Sequence, residues 1–226
     1  MHRAALRNIE LKLLRSTREE SMFVSRRIIR PEVGKTELAH ERVHKLAGLI
    51  GGHGVGTRVS KVMAGEGAGD LHLYVYFETM SQAMAVGEAM TADAGVKALM
   101  AEREANPAGE VIGPEGFRII SGETKGDTRA SLQRVYEMKR SNLPAAMEML
   151  DELRVMMKDE PVNIFAGVPV IASKMDMLFV SYAFADLAAL GAGVDGVGIS
   201  PEFQAIVARA SEIGRLCEAR ITVAID

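Results

Sequence analysis

The sequence of 226 residues lacks several features that would identify a protein class at once. It has one cysteine, Cys217, which excludes a framework of internal disulfides and favours a reducing, cytoplasmic location. No apolar run approaches the ~20 residues that a membrane helix needs, so we expect no membrane partner. The 27 Lys and Arg residues nearly balance the 30 Asp and Glu residues. A nucleic-acid-binding protein shows a basic excess or stripe, so we expect no nucleic-acid partner.

Residues 1–21 differ in character from the rest of the chain. They carry several arginines but lack the apolar core of a secretory signal, and their glutamates argue against an organelle transit peptide. We therefore expect an amino-terminal extension outside the main fold, which begins at Met22.

The remainder contains one pattern of strands and helices twice, with an offset of 107 residues. Residues 71–101 align with residues 178–208, and the alignment places Thr79 on Asp186 and Asp93 on Ser200. All four are residue types that favour the N-cap of a helix. The pattern predicts that a helical stretch in each half is interrupted and restarted at the same place.

The first helix of each half has apolar residues on one face at helical spacing. Here an offset nearer 110 is favoured, which places Ala39 on Met149 and, on the preceding strands, Arg26 on Tyr136. Each half then consists of strand, helix, strand, strand, interrupted helix and strand, the ferredoxin-like βαββαβ order. The predicted strands are residues 23–30, 57–64, 70–78 and 117–121, followed by 132–139, 162–172, 177–185 and 220–225.

The third predicted strand of each half is apolar on both faces, so both faces need to be covered. Helices can cover only one of them. We therefore predict an α+β fold of two tandem ferredoxin-like units, residues 22–121 and 129–226, joined by a polar linker rich in glycine. Their antiparallel sheets are expected to pack face to face as an α/β barrel within one chain.

Two short motifs resemble a known group of proteins. Residues 26–35, RRIIRPEVGK, resemble the opening from strand to helix in the dimeric α/β-barrel superfamily, and residues 199–204, ISPEFQ, are similar to its restart within a helix. That group includes antibiotic-biosynthesis monooxygenases, stress-responsive barrel proteins and NIPSNAP-like proteins. The resemblance implies a duplicated and fused barrel, and it implies no single activity.

Alternation on the third strand supplies the candidate site residues. If Leu71 and Leu73 face the helices, then His72, Tyr74 and Tyr76 point into the barrel. Arg26 and Tyr136 are added as ligand-binding candidates, because either could reach the same interior. His72 is a weak catalytic candidate, since a histidine can move protons near neutral pH but no partner is evident.

Other motifs do not support a cofactor or a metal. His40 and His44 have metal-binding spacing, but neighbouring Arg42 and Lys45 oppose a cation. Residues 191–196 match G-x-G-x-x-G but do not directly follow a strand, which the dinucleotide motif requires. We therefore expect no cofactor and no metal.

Two functions remain open. The favoured one is a barrel without a catalytic constellation that binds a small molecule or a partner. A homo-oligomer is a further possibility, and the methionine-rich segments could supply its contacts, although filling the core is the favoured role of those methionines. The alternative, implied by the superfamily resemblance, is a cofactor-independent monooxygenase or isomerase that acts on a small aromatic or polyketide-like substrate.

Overall fold

Eight strands and six helices are found in the computed structural model, which describes residues 22–225. The predicted extension, residues 1–21, lies outside the described residues. The strands are β1 (Phe23–Pro31), β2 (Gly56–Gly65), β3 (Leu71–Phe77), β4 (Gly109–Ser121), β5 (Ala130–Glu137), β6 (Val162–Ile171), β7 (Met177–Phe184) and β8 (Arg215–Ala224). The helices are α1 (Thr36–Gly51), α2 (Met80–Ala92), α3 (Ala94–Ala105), α4 (Leu143–Met156), α5 (Leu187–Asp195) and α6 (Pro201–Ile213).

The strands form one closed antiparallel barrel in the order β1-β3-β2-β8-β5-β7-β6-β4. The four strands of each half are neighbours, and the halves are joined by the β2–β8 and β4–β6 pairs. The α+β class and the βαββαβ order of each half are confirmed. Because the barrel is closed, every described strand is paired on both sides and no edge is open.

The interrupted helices are confirmed, and side-chain caps explain them. Asp93 Oδ1 accepts a hydrogen bond from the Val96 amide at 2.9 Å, which restarts α3 directly after α2. In the second half, Ser200 Oγ accepts from the Phe203 amide at 3.2 Å, and Pro201 occupies the first position of α6.

The register of strand pairing corrects the predicted offset of 110. Arg26 pairs with Tyr74 on β3, and Gln133 pairs with Ser181 on β7. Since Tyr74 and Ser181 are themselves 107 residues apart, Arg26 corresponds to Gln133 and not to Tyr136. The first helices agree, because buried Ala39 and Val43 of α1 match buried Ala146 and Leu150 of α4. One offset of 107 therefore holds from β1 through the helices.

Strand β4 begins at Gly109, well before the predicted residue 117. The stretch before residue 117 contains several glycines and prolines, which are uncommon within strands, yet it pairs with β1. Gly113 has a φ of 90°, near a bulge between Arg26 and Ile28. The longer strand places Glu115 opposite Arg26.

Each half has a separate apolar core between its strands and helices. In the first half, Leu71, Leu73 and Val75 of β3 pack with residues of α1 such as Val43 and Ile50. In the second half, Leu178, Val180 and Tyr182 of β7 pack with α4 and α6. The alternate residues of each strand consequently face the barrel interior. Among the described residues, no helix combines the length and the apolar composition required to cross a bilayer.

Candidate ligand-binding site

The barrel interior contains a cavity of about 270 Å³ lined by both halves. Even-numbered residues of β1 and odd-numbered residues of β5 face it, as the 107 offset requires. Its lining combines aromatic, aliphatic and polar side chains, the usual composition of a small-molecule site. The lining includes Val24, Arg26, Ile28, Arg58, Tyr74, Tyr76, Glu115, Phe117, Gln133, Phe165, Ser173, Phe179, Ser181 and Thr222.

An ion pair forms one polar wall of the cavity. Arg26 Nη2 donates to Glu115 Oε2 at 2.8 Å, and the guanidinium lies over the Phe117 ring, 5.2 Å from its centroid. Glu115 Oε1 accepts from the Ser173 amide at 3.3 Å and from its hydroxyl at 3.0 Å. Burial by itself would raise the pKa of Glu115, but hydrogen bonds from Arg26 and Ser173 outweigh it and lower the pKa. Glu115 is therefore ionised near neutral pH.

A chain of three side chains forms a second polar group. His72 is completely buried, and its Nδ1 lies 3.0 Å from the Tyr74 hydroxyl. That hydroxyl also lies 3.1 Å from Gln133 Nε2. His72 and Tyr74 come from the first half and Gln133 from the second, so this chain links the two halves inside the barrel.

The environment of His72 keeps its imidazole neutral. Burial lowers its pKa to about 3, and the positive charges of Arg26 and Arg220 act in the same direction. Its Nε2 atom is buried and has no hydrogen-bond partner among residues 22–225. His72 is not part of the cavity lining, whereas Tyr74 is. A ligand in the cavity would therefore meet the Tyr74 hydroxyl, with His72 behind it.

Tyr76 also lines the cavity, but its hydroxyl is not part of this chain of hydrogen bonds. Burial raises the pKa of Tyr76 to about 12, so the phenol stays protonated at physiological pH. A hydroxyl of this kind can donate to a ligand but is a poor source of a phenolate.

Tyr136 does not reach the barrel interior, which corrects the prediction that it could share that space with Arg26. The inward residues of β5 are odd-numbered, so Tyr136 faces the helices. It packs in the second-half core and borders a small cavity beside Leu178 and Phe203. The error arose from the 110 offset, which aligned it with Arg26.

Three phenylalanines form an apolar wall of the cavity, and one of them, Phe117, adjoins the polar group of Arg26. Phe179 contacts Phe117 edge to face with centroids 5.2 Å apart, and it contacts Phe165 at 6.3 Å. A Cβ at Gly167 would lie only 2.4 Å from the Phe179 ring. Glycine at this position of β6 therefore makes room for the ring.

Sequence reasoning missed Gln133, Glu115 and Ser173. Extending the 107 offset back to β1 would have identified Gln133 as the counterpart of Arg26. Glu115 and Ser173 left no such signal, because Glu115 lies in a stretch that resembles a loop and Ser173 in a turn.

The remaining motifs lie where no cofactor chemistry is indicated. Residues 191–195 of the glycine motif are within α5, and His40 and His44 lie on α1 with ring centroids 6.2 Å apart. No group of three or more His, Cys, Asp or Glu side chains suited to a metal occurs in the described part of the chain.

Comparison with known proteins identifies the fold class. No protein-family model matches the sequence, and no curated protein is significantly similar to it. A candidate monooxygenase from Fusobacterium nucleatum is similar in structure, with a TM-score of 0.61 and 10% identity over 92% of this chain and 94% of that one. An anthrone oxidase-like protein gives 0.60 and 7% over 92% and 93%. The chlorite dismutase of Candidatus Nitrospira defluvii gives 0.55 and 10% over 92% of both chains.

These solved structures share the barrel fold of this chain. At such low identity the likeness concerns the fold alone, since one fold supports many functions.

Proposed function

We propose that the barrel binds a small aromatic molecule that carries at least one hydrogen-bond acceptor. The observation that carries this proposal is the cavity of about 270 Å³ between the phenylalanine wall and the polar groups around Tyr74 and Arg26. Aromatic rings of a ligand pack favourably against Phe117, Phe165 and Phe179. The volume lies near the lower end of the range typical of small-molecule sites, which favours a compact ligand.

The polar groups favour an acceptor oxygen on that ligand. Gln133 Nε2 can donate to the Tyr74 oxygen, and in one tautomer so can His72 Nδ1. The Tyr74 hydroxyl lies 3.3 Å from Gln133 Oε1 and can donate to it, so a ligand oxygen in the cavity would compete with that amide for the Tyr74 proton. The Arg26 Nε atom is also a buried donor without a partner among residues 22–225. A ketone, quinone or phenol oxygen would satisfy either donor.

Catalysis is the second candidate function, and the pairing of His72 with Tyr74 at the cavity favours it. A cofactor-independent monooxygenase or isomerase would use this pair to move a proton on an aromatic or polyketide-like substrate. The names of the monooxygenase and anthrone oxidase-like neighbours agree with this candidate. A histidine with a pKa of about 3 is, however, a weak general base at neutral pH, so we place ligand binding first.

We also propose a tandem duplication, sheets that face each other, and a cytoplasmic location. The offset of 107 residues, which holds from β1 through the helices, supports a tandem duplication of one ferredoxin-like unit. The hydrogen bond between Tyr74 of the first half and Gln133 of the second, on strands separated by β2 and β8 in the barrel order, supports sheets that face each other across the interior. The single cysteine continues to favour a cytoplasmic location.

Calorimetry and thermal shift with 5-hydroxy-1,4-naphthoquinone, an aromatic compound with acceptor oxygens, test the proposal. We expect saturable binding that Tyr74→Phe weakens about tenfold, equivalent to ~1.4 kcal/mol for a lost hydrogen bond. Tyr136→Phe is the matched control, because it removes the same atom from a residue outside the barrel. Absence of binding by this compound and by a panel of related quinones and phenols would contradict the proposal, as would equal weakening by both variants.

A further inference from the structure

A second cavity, of about 210 Å³, lies outside the barrel between the first-half strands and helices α1 and α3. Most of its lining is aliphatic, including Val43, Leu46, Leu99 and Val111. Three arginines also border it: Arg27 on β1, Arg42 on α1 and Arg103 on α3. No acidic side chain is part of this lining.

The arginines of this cavity are incompletely paired. Arg27 and Arg103 are half-buried, and neither has a hydrogen bond, ion pair or ring contact with any described residue. Arg42 donates from Nη1 to the Asn106 carbonyl and from Nη2 to the Glu102 carbonyl, but its buried Nε has no partner within residues 22–225. Burial also lowers the pKa of Arg27. A partly desolvated positive charge without a partner is unfavourable.

In the second half, the arginine at the position equivalent to Arg27 has partners. Arg134 corresponds to Arg27 at the 107 offset, and its guanidinium lies 5.8 Å from the Tyr182 ring centroid and 5.7 Å from that of Phe203. These distances are typical of cation–π contacts. The positions equivalent to Tyr182 and Phe203 in the first half are Val75 and Val96.

The exchange of two rings for two valines accounts for the empty space. The corresponding second-half cavity, bordered by Tyr182 and Phe203, measures about 50 Å³ against about 210 Å³ in the first half. An apolar cavity of about 150 Å³ in another protein is large enough to bind benzene. The first-half cavity can therefore hold a substituted aromatic ring.

We propose that this cavity is a second binding site, for a small aromatic carboxylate. In the first half, the ligand ring occupies the space equivalent to the one that Tyr182 and Phe203 fill in the second half. There it packs on the aliphatic lining and lies over Arg27. Its carboxylate accepts hydrogen bonds from arginine side chains at the edge of the cavity, with Arg103 and Arg42 Nε as the available donors. The site is independent of the barrel interior, because the β1 residues that border it are on the opposite face of the strand from Arg26.

The test is isothermal titration with 3-phenylpropanoate, compared with the uncharged 3-phenylpropan-1-ol. We expect saturable binding of the carboxylate and at least tenfold weaker binding of the alcohol. Val96→Phe restores the ring found in the second half, so it should weaken carboxylate binding tenfold or more. Val33→Phe is the matched control, since Val33 is fully exposed in a turn, and it should leave affinity unchanged.

Arg103→Gln provides a second variant that does not alter the apolar lining, so a folding defect in Val96→Phe would not leave the proposal without a test. It should also weaken carboxylate binding about tenfold. Failure of the carboxylate to saturate, equal affinity for carboxylate and alcohol, or unchanged affinity in Arg103→Gln would overturn the proposal. Loss of binding in Tyr74→Phe instead would assign the ligand to the barrel. Quinone binding in Val96→Phe reports separately on the barrel site and should be unchanged.

Discussion

The two halves of the chain share one element order and one pairing register for their first three strands, yet they fill their helix–sheet layers differently. Three equivalent pairs of positions carry most of the contrast: Ile29 and Tyr136, Val75 and Tyr182, and Val96 and Phe203. In each pair the aromatic residue is in the second half. The backbone plan thus tolerates either a filled layer or one with a cavity, and side-chain volume at a few positions decides between them.

Inside the barrel the contrast has the opposite direction. His72, Tyr74 and Tyr76 on β3 correspond to Phe179, Ser181 and Ala183 on β7. The first half therefore supplies the imidazole and the two tyrosine hydroxyls of the barrel site, while the small residues Ser181 and Ala183 of the second half leave space beside them. The different side chains at equivalent positions give the cavity one side that is richer in polar rings.

The largest expected effect tests the contrast between the layers. Phe203 is buried and contacts the Tyr182 ring with centroids 6.5 Å apart, so Phe203→Ala should lower the free energy of unfolding by about 3–5 kcal/mol. Val96→Ala at the equivalent first-half position should cost only about 1 kcal/mol, because Val96 is partly exposed and borders a space that is already empty.

Urea denaturation at one pH measures both losses, and equal m-values would show that the unfolding transitions are comparable. Similar losses for the two variants would mean that the layers are equally well packed, which would break the comparison.

A smaller effect sharpens the comparison inside the barrel. Tyr74→Phe removes the hydroxyl that pairs with His72 Nδ1 and leaves this buried nitrogen without its partner, so it should destabilise the fold by about 1–3 kcal/mol. Tyr76→Phe removes a hydroxyl with no hydrogen bond to a described residue, and its effect should stay within about 0.5 kcal/mol. Thermal and urea unfolding of the pair check this difference, and a larger loss in Tyr76→Phe would contradict the assignment of Tyr74 as the link between the halves.

Several parts of this architecture could be predicted from the sequence, because they depend on local chemistry. Cap residues such as Asp93 and Ser200 interrupt the helices through hydrogen bonds to amides only three residues further along the chain. Alternation along β3 separates the residues that face the core from those that face the barrel interior. Placing Tyr74 and Tyr76 on the cavity required nothing beyond that alternation.

The remainder depended on contacts between distant segments. Glu115 meets Arg26 only because β4 extends past its glycines to pair with β1. Gln133 contacts Tyr74 across the barrel, and their separation of 59 positions conceals this contact in the sequence. Tyr136 was misplaced because a shift of three residues in the overlay exchanges the two faces of a strand, whose side chains alternate with a period of two.

The last effect concerns pH, and it separates His72 from its second-half counterpart Phe179, which cannot titrate. In the unfolded chain an imidazole binds a proton near pH 6.5, whereas folded His72 stays neutral down to about pH 3 because it is buried. Between these values the unfolded chain binds more protons, so acidification lowers stability, by at most about 1.4 kcal/mol per pH unit from this residue. His72→Asn keeps a polar group near Nδ1 without the titration, and its stability should fall less steeply than that of the wild type from pH 6.5 to pH 4. Carboxylates titrate equally in both proteins, so the difference between two urea series isolates His72. If the free energies of unfolding of the wild type and of His72→Asn fall in parallel with pH, the imidazole is not held neutral inside the barrel.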